Sequence, residues 1–246
     1  MRYMYLVLAL AGCLGRPRPT PVAAPAPPPP CKSTVPTLIG GTPVTDGYEE
    51  VVVINTGSRC TATIVSPTVV LTAAHCGVTG VRVLVSYGSD QLLGTFRATA
   101  AVDLGAVVLD EAIQAPYASV YLEELKAGLS ITILGYGCED GVNRVFGTLR
   151  QGQTQIFAFE PPYLLFYGQP ALCYGDSGGP VFLTGQSSNY IIGVHSRGNI
   201  SDRSLSVQLG TPLAKAFLQE LAADHDLCGI NRDCAPDPKP AYPCGA

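Results

Sequence analysis

A serine hydroxyl becomes a competent nucleophile near neutral pH only when a neighbouring base takes its proton. Residue types suited to that chemistry stand in two distinctive strings. Ser177 is embedded in Gly175-Asp176-Ser177-Gly178-Gly179-Pro180, and His75 in Thr72-Ala73-Ala74-His75-Cys76. Between them, Asp103 heads the run Asp103-Leu104-Gly105-Ala106-Val107-Val108-Leu109, an acid leading an apolar strand. In such a set the imidazole takes the hydroxyl proton during attack and returns it to the leaving group. A carboxylate on the far ring nitrogen fixes the tautomer and stabilises the imidazolium. Asp90 and Asp110 also follow the histidine. Asp90 sits in the polar Gly88-Ser89-Asp90 turn and Asp110 at the end of a strand, so Asp103 is the preferred candidate. Either string alone has an ordinary structural explanation, since a His before Cys is often packing and a Gly-rich string is often only a turn. Their joint presence, in the order His, Asp, Ser, points to covalent acyl transfer.

Positioning three distant side chains requires a rigid frame. Between Leu38 and Leu209 short β-branched runs alternate with Gly, Pro, Ser and Asp, and 51–54, 61–65, 69–72, 81–86, 106–109, 130–134, 190–194 and 205–209 read as strands. This spacing favours a sandwich or barrel. One helix follows, with Thr211 as N-cap, Pro212 at N1, and Leu213, Phe217, Leu218 and Leu221 repeating along one face.

The His75 and Ser177 strings, with Asp103 between them, resemble the motifs of chymotrypsin-like serine proteases, and the resemblance runs from Leu38 to the helix near Phe217. It implies an all-β fold of two packed six-stranded antiparallel barrels with a C-terminal helix, spanning residues 38–228. It implies His75, Asp103 and Ser177 as catalytic residues, and the N–H groups of Gly175 and Ser177 as donors to the tetrahedral oxyanion. The expected substrate is a peptide or protein, with no metal and no organic cofactor, and the expected state is a monomer. Leu38-Ile39-Gly40-Gly41 resembles the new N-terminus that this family exposes on zymogen cleavage, where the freed amino group pairs with the carboxylate next to the nucleophile, here Asp176. Thr37 would precede that cut, so a trypsin-like activator is not expected.

The same resemblance places Ala171 at the floor of the primary specificity pocket and Gly193-Val194-His195-Ser196-Arg197-Gly198 along its wall, with Gly198 leaving the entrance open. Alanine offers no charge to a buried cation, so cleavage after Arg or Lys is disfavoured and medium or large uncharged residues are expected. His195 is similar to the histidine with which bacterial glutamyl endopeptidases receive an acidic side chain, which makes acidic residues the second choice, aided by Arg197 if it turns toward the pocket. The chain departs from the family in having no tryptophan, so that Gly135-Tyr136-Gly137 and Ser196-Arg197-Gly198 stand where the family carries Trp.

Nine cysteines without a CxxC pair fit disulfide chemistry in an oxidising compartment better than a zinc site. The resemblance implies the bridge Cys60–Cys76; Cys173 finds no cysteine before Cys228 where the family's usual partner stands, and is assigned to Cys138, whose loop the implied fold places beside the serine loop. Cys31, Cys228, Cys234 and Cys244 then allow three pairings, and the sequence does not choose among them. Cys13 is the odd thiol. It ends Leu10-Ala11-Gly12-Cys13, which resembles a bacterial lipobox and predicts a lipidated, envelope-anchored protein; Ala9-Leu10-Ala11 as an ordinary cleavage site would instead release it. Residues 1–12 read as the export signal, and 13–37 as lipid-anchored linker and propeptide, with eight prolines among the sixteen residues 15–30. Residues 229–246 read as a Cys/Pro-rich tail.

Only 14% of the residues are charged, 47% are hydrophobic, and the net charge is -4 with a pI near 5.3. This lacks the clustered Lys and Arg of a nucleic-acid surface, and membrane contact is expected only through Cys13. The alternative to an active enzyme is a catalytically silent protease-fold binding module on the cell surface. An intact set of His, Asp, Ser and oxyanion glycine speaks against it.

Overall fold

The computed structural model describes residues 38–39, 41–138, 147–186 and 189–234. The export segment 1–12, Cys13, Cys31, the linker up to residue 37, and Cys244 with the tail from residue 235 lie outside the described residues. The strands in chain order are β1 (Thr42–Pro43), β2 (Val51–Asn55), β3 (Arg59–Ile64), β4 (Val69–Thr72), β5 (Arg82–Tyr87), β6 (Asp90–Ala98), β7 (Gly105–Leu109), β8 (Ser119–Val120), β9 (Ser130–Gly135), β10 (Arg150–Gln155), β11 (Ala158–Glu160), β12 (Tyr163–Tyr167), β13 (Pro180–Leu183), β14 (Tyr190–Gly198) and β15 (Arg203–Gln208), followed by helix α1 (Pro212–Ala222).

The first six long strands close into a barrel in the order β2-β3-β4-β7-β6-β5, with β5 returning to β2. Alternation drives it: on β5 Val83 and Val85 point inward while Leu84 between them is exposed. β4 is buried along its whole length, as expected of a strand covered on both faces. Glycine permits the tightest approach, because a Cβ on Gly94 would come within 2.6 Å of the Val108 carbonyl on the neighbouring β7.

The second sheet runs β1-β10-β9-β13-β14-β15-β12-β11, with β8 alongside β14. Strands β10 and β11, toward opposite ends of this order, are one continuous stretch of chain. Ile156 is bonded through N–H and carbonyl to Leu129 and Gly128 at the β9 end, and the next residue, Phe157, donates to Leu165 of β12 at 2.8 Å. The run β10–β11 therefore bridges β9 and β12 and curls this sheet into the second six-stranded barrel. One buried apolar cluster fills the first barrel around Ile54, Ile64, Leu71 and Phe96 and runs on through Leu134, Phe182 and Val194 of the second sheet to helix α1, and a separate one centres on Ile131, Ile133, Phe166 and Ile192 of the second sheet.

Helix α1 lies where the sequence places it, with two corrections. Its buried stripe is Ala214, Phe217, Leu218 and Leu221, whereas Leu213 is exposed. The set 214, 217, 218, 221 follows the i, i+3, i+4, i+7 rule from Ala214, which turns Leu213 to solvent. Thr211 is extended at the N-cap, but its hydroxyl donates to the Gln208 carbonyl at 3.0 Å and caps no helical N–H. Disulfides join Cys60 to Cys76, Cys138 to Cys173 and Cys228 to Cys234. The first two match the expected pairs, and the third selects one partner among the alternatives left open.

Candidate active site

Strand register brings His75 and Asp103 together. Thr72, the last residue of β4, pairs with Gly105, the first of β7; in an antiparallel pair the segments beyond these residues leave the barrel at the same end. His75 follows on a single 3-10 turn, Ala74–Cys76, and Asp103 stands two residues before the start of β7. One buried ring seats both segments. A Cβ on Gly77 would collide with Phe96 at 2.6 Å and one on Gly105 would reach it at 3.0 Å, so both glycines let the chain rest on this fully buried side chain.

The Asp103 carboxylate accepts from His75 three ways: Nδ1 lies 2.8 Å from Oδ2 and 3.1 Å from Oδ1, and the His75 backbone N–H donates to Oδ1 at 3.0 Å. A fourth bond comes from the Ser196 hydroxyl to Oδ2 at 2.6 Å. The β14–β15 register shifts between His195 and Arg197, which makes Ser196 the extra residue of a bulge. Burial works to raise the Asp103 pKa, but the bonds from His75 and Ser196 outweigh it and hold the carboxyl below its usual range. In return the bond to Asp103 raises the His75 pKa against a partial desolvation. The His75 ring remains 47% exposed, open to a ligand.

Ser177 sits between β12 and β13 in a loop held by the other barrel. The Thr61 N–H donates to the Ser177 carbonyl at 2.9 Å, and the Thr61 hydroxyl donates to the Gly175 carbonyl at 2.7 Å while accepting from the Tyr136 N–H at 3.0 Å. Cys76, bridged to Cys60 and next to His75, approaches the same Ser177 carbonyl at 3.7 Å. Gly175 has φ +94°, which a side chain would resist. Neither the Gly175 nor the Ser177 N–H donates to another group among the described residues. Among the described residues the Ser177 hydroxyl and His75 share no hydrogen bond.

Asp176 is fully buried. Its carboxylate accepts from the N–H groups of Gly137 (2.9 Å) and Cys173 (2.8 Å), and a Cβ on Gly135 or Gly137 would collide with it. No cation faces it among the described residues, and burial, offset in part by those two bonds, pushes its pKa up to about 7. Leu38 is buried in the second barrel's apolar cluster at φ +68°, and the following N–H, of Ile39, donates to the Ala171 carbonyl at 3.2 Å.

Most of the residues expected to line the specificity pocket are buried. Ala171, Leu172 and Ser196 are buried, and His195 is wholly so. His195 Nδ1 meets the Ser206 hydroxyl at 2.9 Å, its Nε2 has no hydrogen-bond partner, and burial lowers its pKa to about 3 against the pull of the Leu134 carbonyl, leaving a neutral ring. A Cβ on Gly198 would meet the Arg203 carbonyl of β15 at 2.7 Å, so this position is restricted to glycine by the close approach of the neighbouring strand. Arg197 stacks on Tyr163, its guanidinium carbon 4.5 Å above the ring centre, so it is held away from the role of a swinging pocket cation.

Four contributors were missed in the sequence: Thr61, Ser196 as a partner of Asp103, and Ser204 and Ser206 of β15. Ser204 accepts from the Leu172 N–H at 3.2 Å. Only their buried hydroxyls on otherwise apolar strands marked them. The sulfurs of Cys60 and Cys76 cluster with the His75 ring, but they are bonded to each other and so do not form a metal-ligand set. Asp110 pairs with Arg82 and Asp90 opens β6, both exposed.

A family model described as Trypsin matches residues 38–216, more than half of the chain. No curated protein matches it.

Proposed function

The chain belongs to the trypsin family, and on that premise we propose that it is an exported serine endopeptidase using His75, Asp103 and Ser177. The observation that carries this is the linked set Ser196–Asp103–His75 beside a serine loop whose Gly175 and Ser177 N–H groups donate to nothing among the described residues. His75 Nε2 takes the Ser177 proton as the hydroxyl attacks the scissile carbonyl, Asp103 stabilises the imidazolium, and the two N–H groups receive the oxyanion. His75 then protonates the leaving amine, and water releases the acyl group by the same steps in reverse. Each oxyanion donor in such a site contributes about 3 to 4 kcal/mol to transition-state stabilisation. A silent binding module would have no use for two unspent donors beside a serine.

Cleavage before Leu38 activates the enzyme: the new amino group replaces the missing cation at Asp176, whose buried carboxyl is neutral or strained near pH 7 without one. Residues 1–12 export the chain and Cys13 carries a lipid that tethers it to the cell envelope; the three disulfides fit that oxidising setting. Uncharged residues of medium or large size precede the cut, because Ala171 places no charge in the pocket and the neutral, buried His195 supplies none. The hydroxyls of Ser204 and Ser206 support an acidic residue there as the second choice.

The test is hydrolysis of a mixed peptide library by the processed protein, alongside Ser177→Ala and His75→Ala. Cleavage by the wild type alone is expected, and undiminished cleavage by Ser177→Ala would refute the mechanism. Dominant Arg or Lys before the cut would contradict the pocket assignment.

A further inference from the structure

Strand β14 outlasts its neighbour β13. Their pairing ends at Pro180↔Val194, with two further bonds, from the His195 N–H to the Gly179 carbonyl and from the Gly178 N–H to the His195 carbonyl, while on its other side β14 stays paired with β15 as far as Gly198↔Ser204. Ser196, Arg197 and Gly198 thus present a backbone edge that no described strand covers. The edge begins at Ser196, whose hydroxyl holds Asp103. An exposed edge of this kind accepts an extended peptide as an added strand.

Arg197 is the middle residue of that edge and is exposed. Its guanidinium is pre-positioned on the face of Tyr163, and Tyr163 is itself fixed by pairing with Glu160 and Val207. Among the described residues this guanidinium has no carboxylate partner. Two other strand arginines do have one: Arg203 is bonded to both oxygens of Glu160, and Arg82 to Asp110. Stacking uses the face of the guanidinium plane and leaves its N–H edge to bind a carboxylate.

We propose that Arg197, held on Tyr163, forms a subsite for an acidic side chain upstream of the scissile bond. Its substrates then carry Asp or Glu upstream of the cut, on the extended segment that pairs with the Ser196–Gly198 edge. The inference rests on the peptidase reading and concerns positions other than the residue at the cut itself.

The experiment is a series of internally quenched peptides with a fixed residue before the scissile bond and Glu, Gln or Lys placed in turn upstream. They are assayed with the processed full chain and with Arg197→Gln and Arg197→Glu, and kcat/KM ratios are compared within each enzyme. The wild type should prefer Glu over Lys by about fivefold to tenfold at low salt, and the preference should shrink as salt rises. The ratio should fall to near one in Arg197→Gln and reverse in Arg197→Glu. A wild-type ratio near one, or a Glu preference that survives in Arg197→Gln, would overturn the subsite while leaving the peptidase reading standing. No cleavage of any peptide in the series would overturn both.

Discussion

At the scale of single residues, two carboxylates carry opposite electrostatic roles. Asp103 is held ionised by four hydrogen bonds and raises the pKa of His75, so the acid limb of kcat/KM should lie above the ordinary imidazole value, since His75 acts only when unprotonated. Asp103→Asn should move that limb to lower pH and reduce kcat by about 10⁴-fold; a pH–rate profile measures both. Asp176 behaves in the reverse sense. In the uncut chain its folded pKa, about 7, exceeds the ordinary carboxylate value, so the folded state binds the extra proton. Stability from this group is full at low pH and is lost as pH rises toward 7. Melting temperatures of the uncut protein should therefore fall across that window, and Asp176→Asn should flatten the fall. The processed enzyme should lack this slope because the Leu38 amino group then pairs with Asp176; an identical slope in both forms would contradict the activation scheme.

At the scale of elements, Thr61 on β3 fixes the serine loop of the opposite barrel through both its backbone and its hydroxyl. Thr61→Val keeps the shape but frees the Gly175 carbonyl. It should lower kcat by about tenfold to a hundredfold, part of the contribution of one oxyanion donor, with little change in KM. Thr61→Ser should restore the rate. A loss confined to stability, with kcat intact, would make the threonine structural only. The strands rich in Val and Ile were legible in the sequence because a short β-branched apolar run bounded by turn residues reports a buried strand directly. β6 was missed because its residues 90–98 mix Asp, Gln, Thr and Arg with few apolar side chains. β10, Arg-Gln-Gly-Gln-Thr-Gln, was missed for the same reason: pairing with β9 and β1 makes it a strand, not its own composition. His75, Asp103 and Ser177 were legible because their neighbours are specified by chemistry. The partners Thr61 and Ser196 were not, since an isolated hydroxyl in a strand becomes informative only once the register shows what it faces.

At the scale of the whole molecule, the site is a seam between two barrels, with His75 and Asp103 on the first and Ser177 on the second. The Cys60–Cys76 bridge, closing a separation of 16 residues, ties the turn of His75 to the strand that carries Thr61. Replacing both cysteines with alanine should cost about 3 kcal/mol of stability, as read from denaturant unfolding, and should lower kcat because both halves of the seam loosen. The central claim is that Ser177 is a nucleophile activated by His75, and active-site labelling tests it most directly. The processed protein is treated with an organophosphonate reagent and the modified peptide is mapped by mass spectrometry. The account predicts a stoichiometric adduct on Ser177 that nearly disappears in His75→Ala. An unmodified Ser177, or labelling of Ser177 that proceeds equally well without His75, would contradict it.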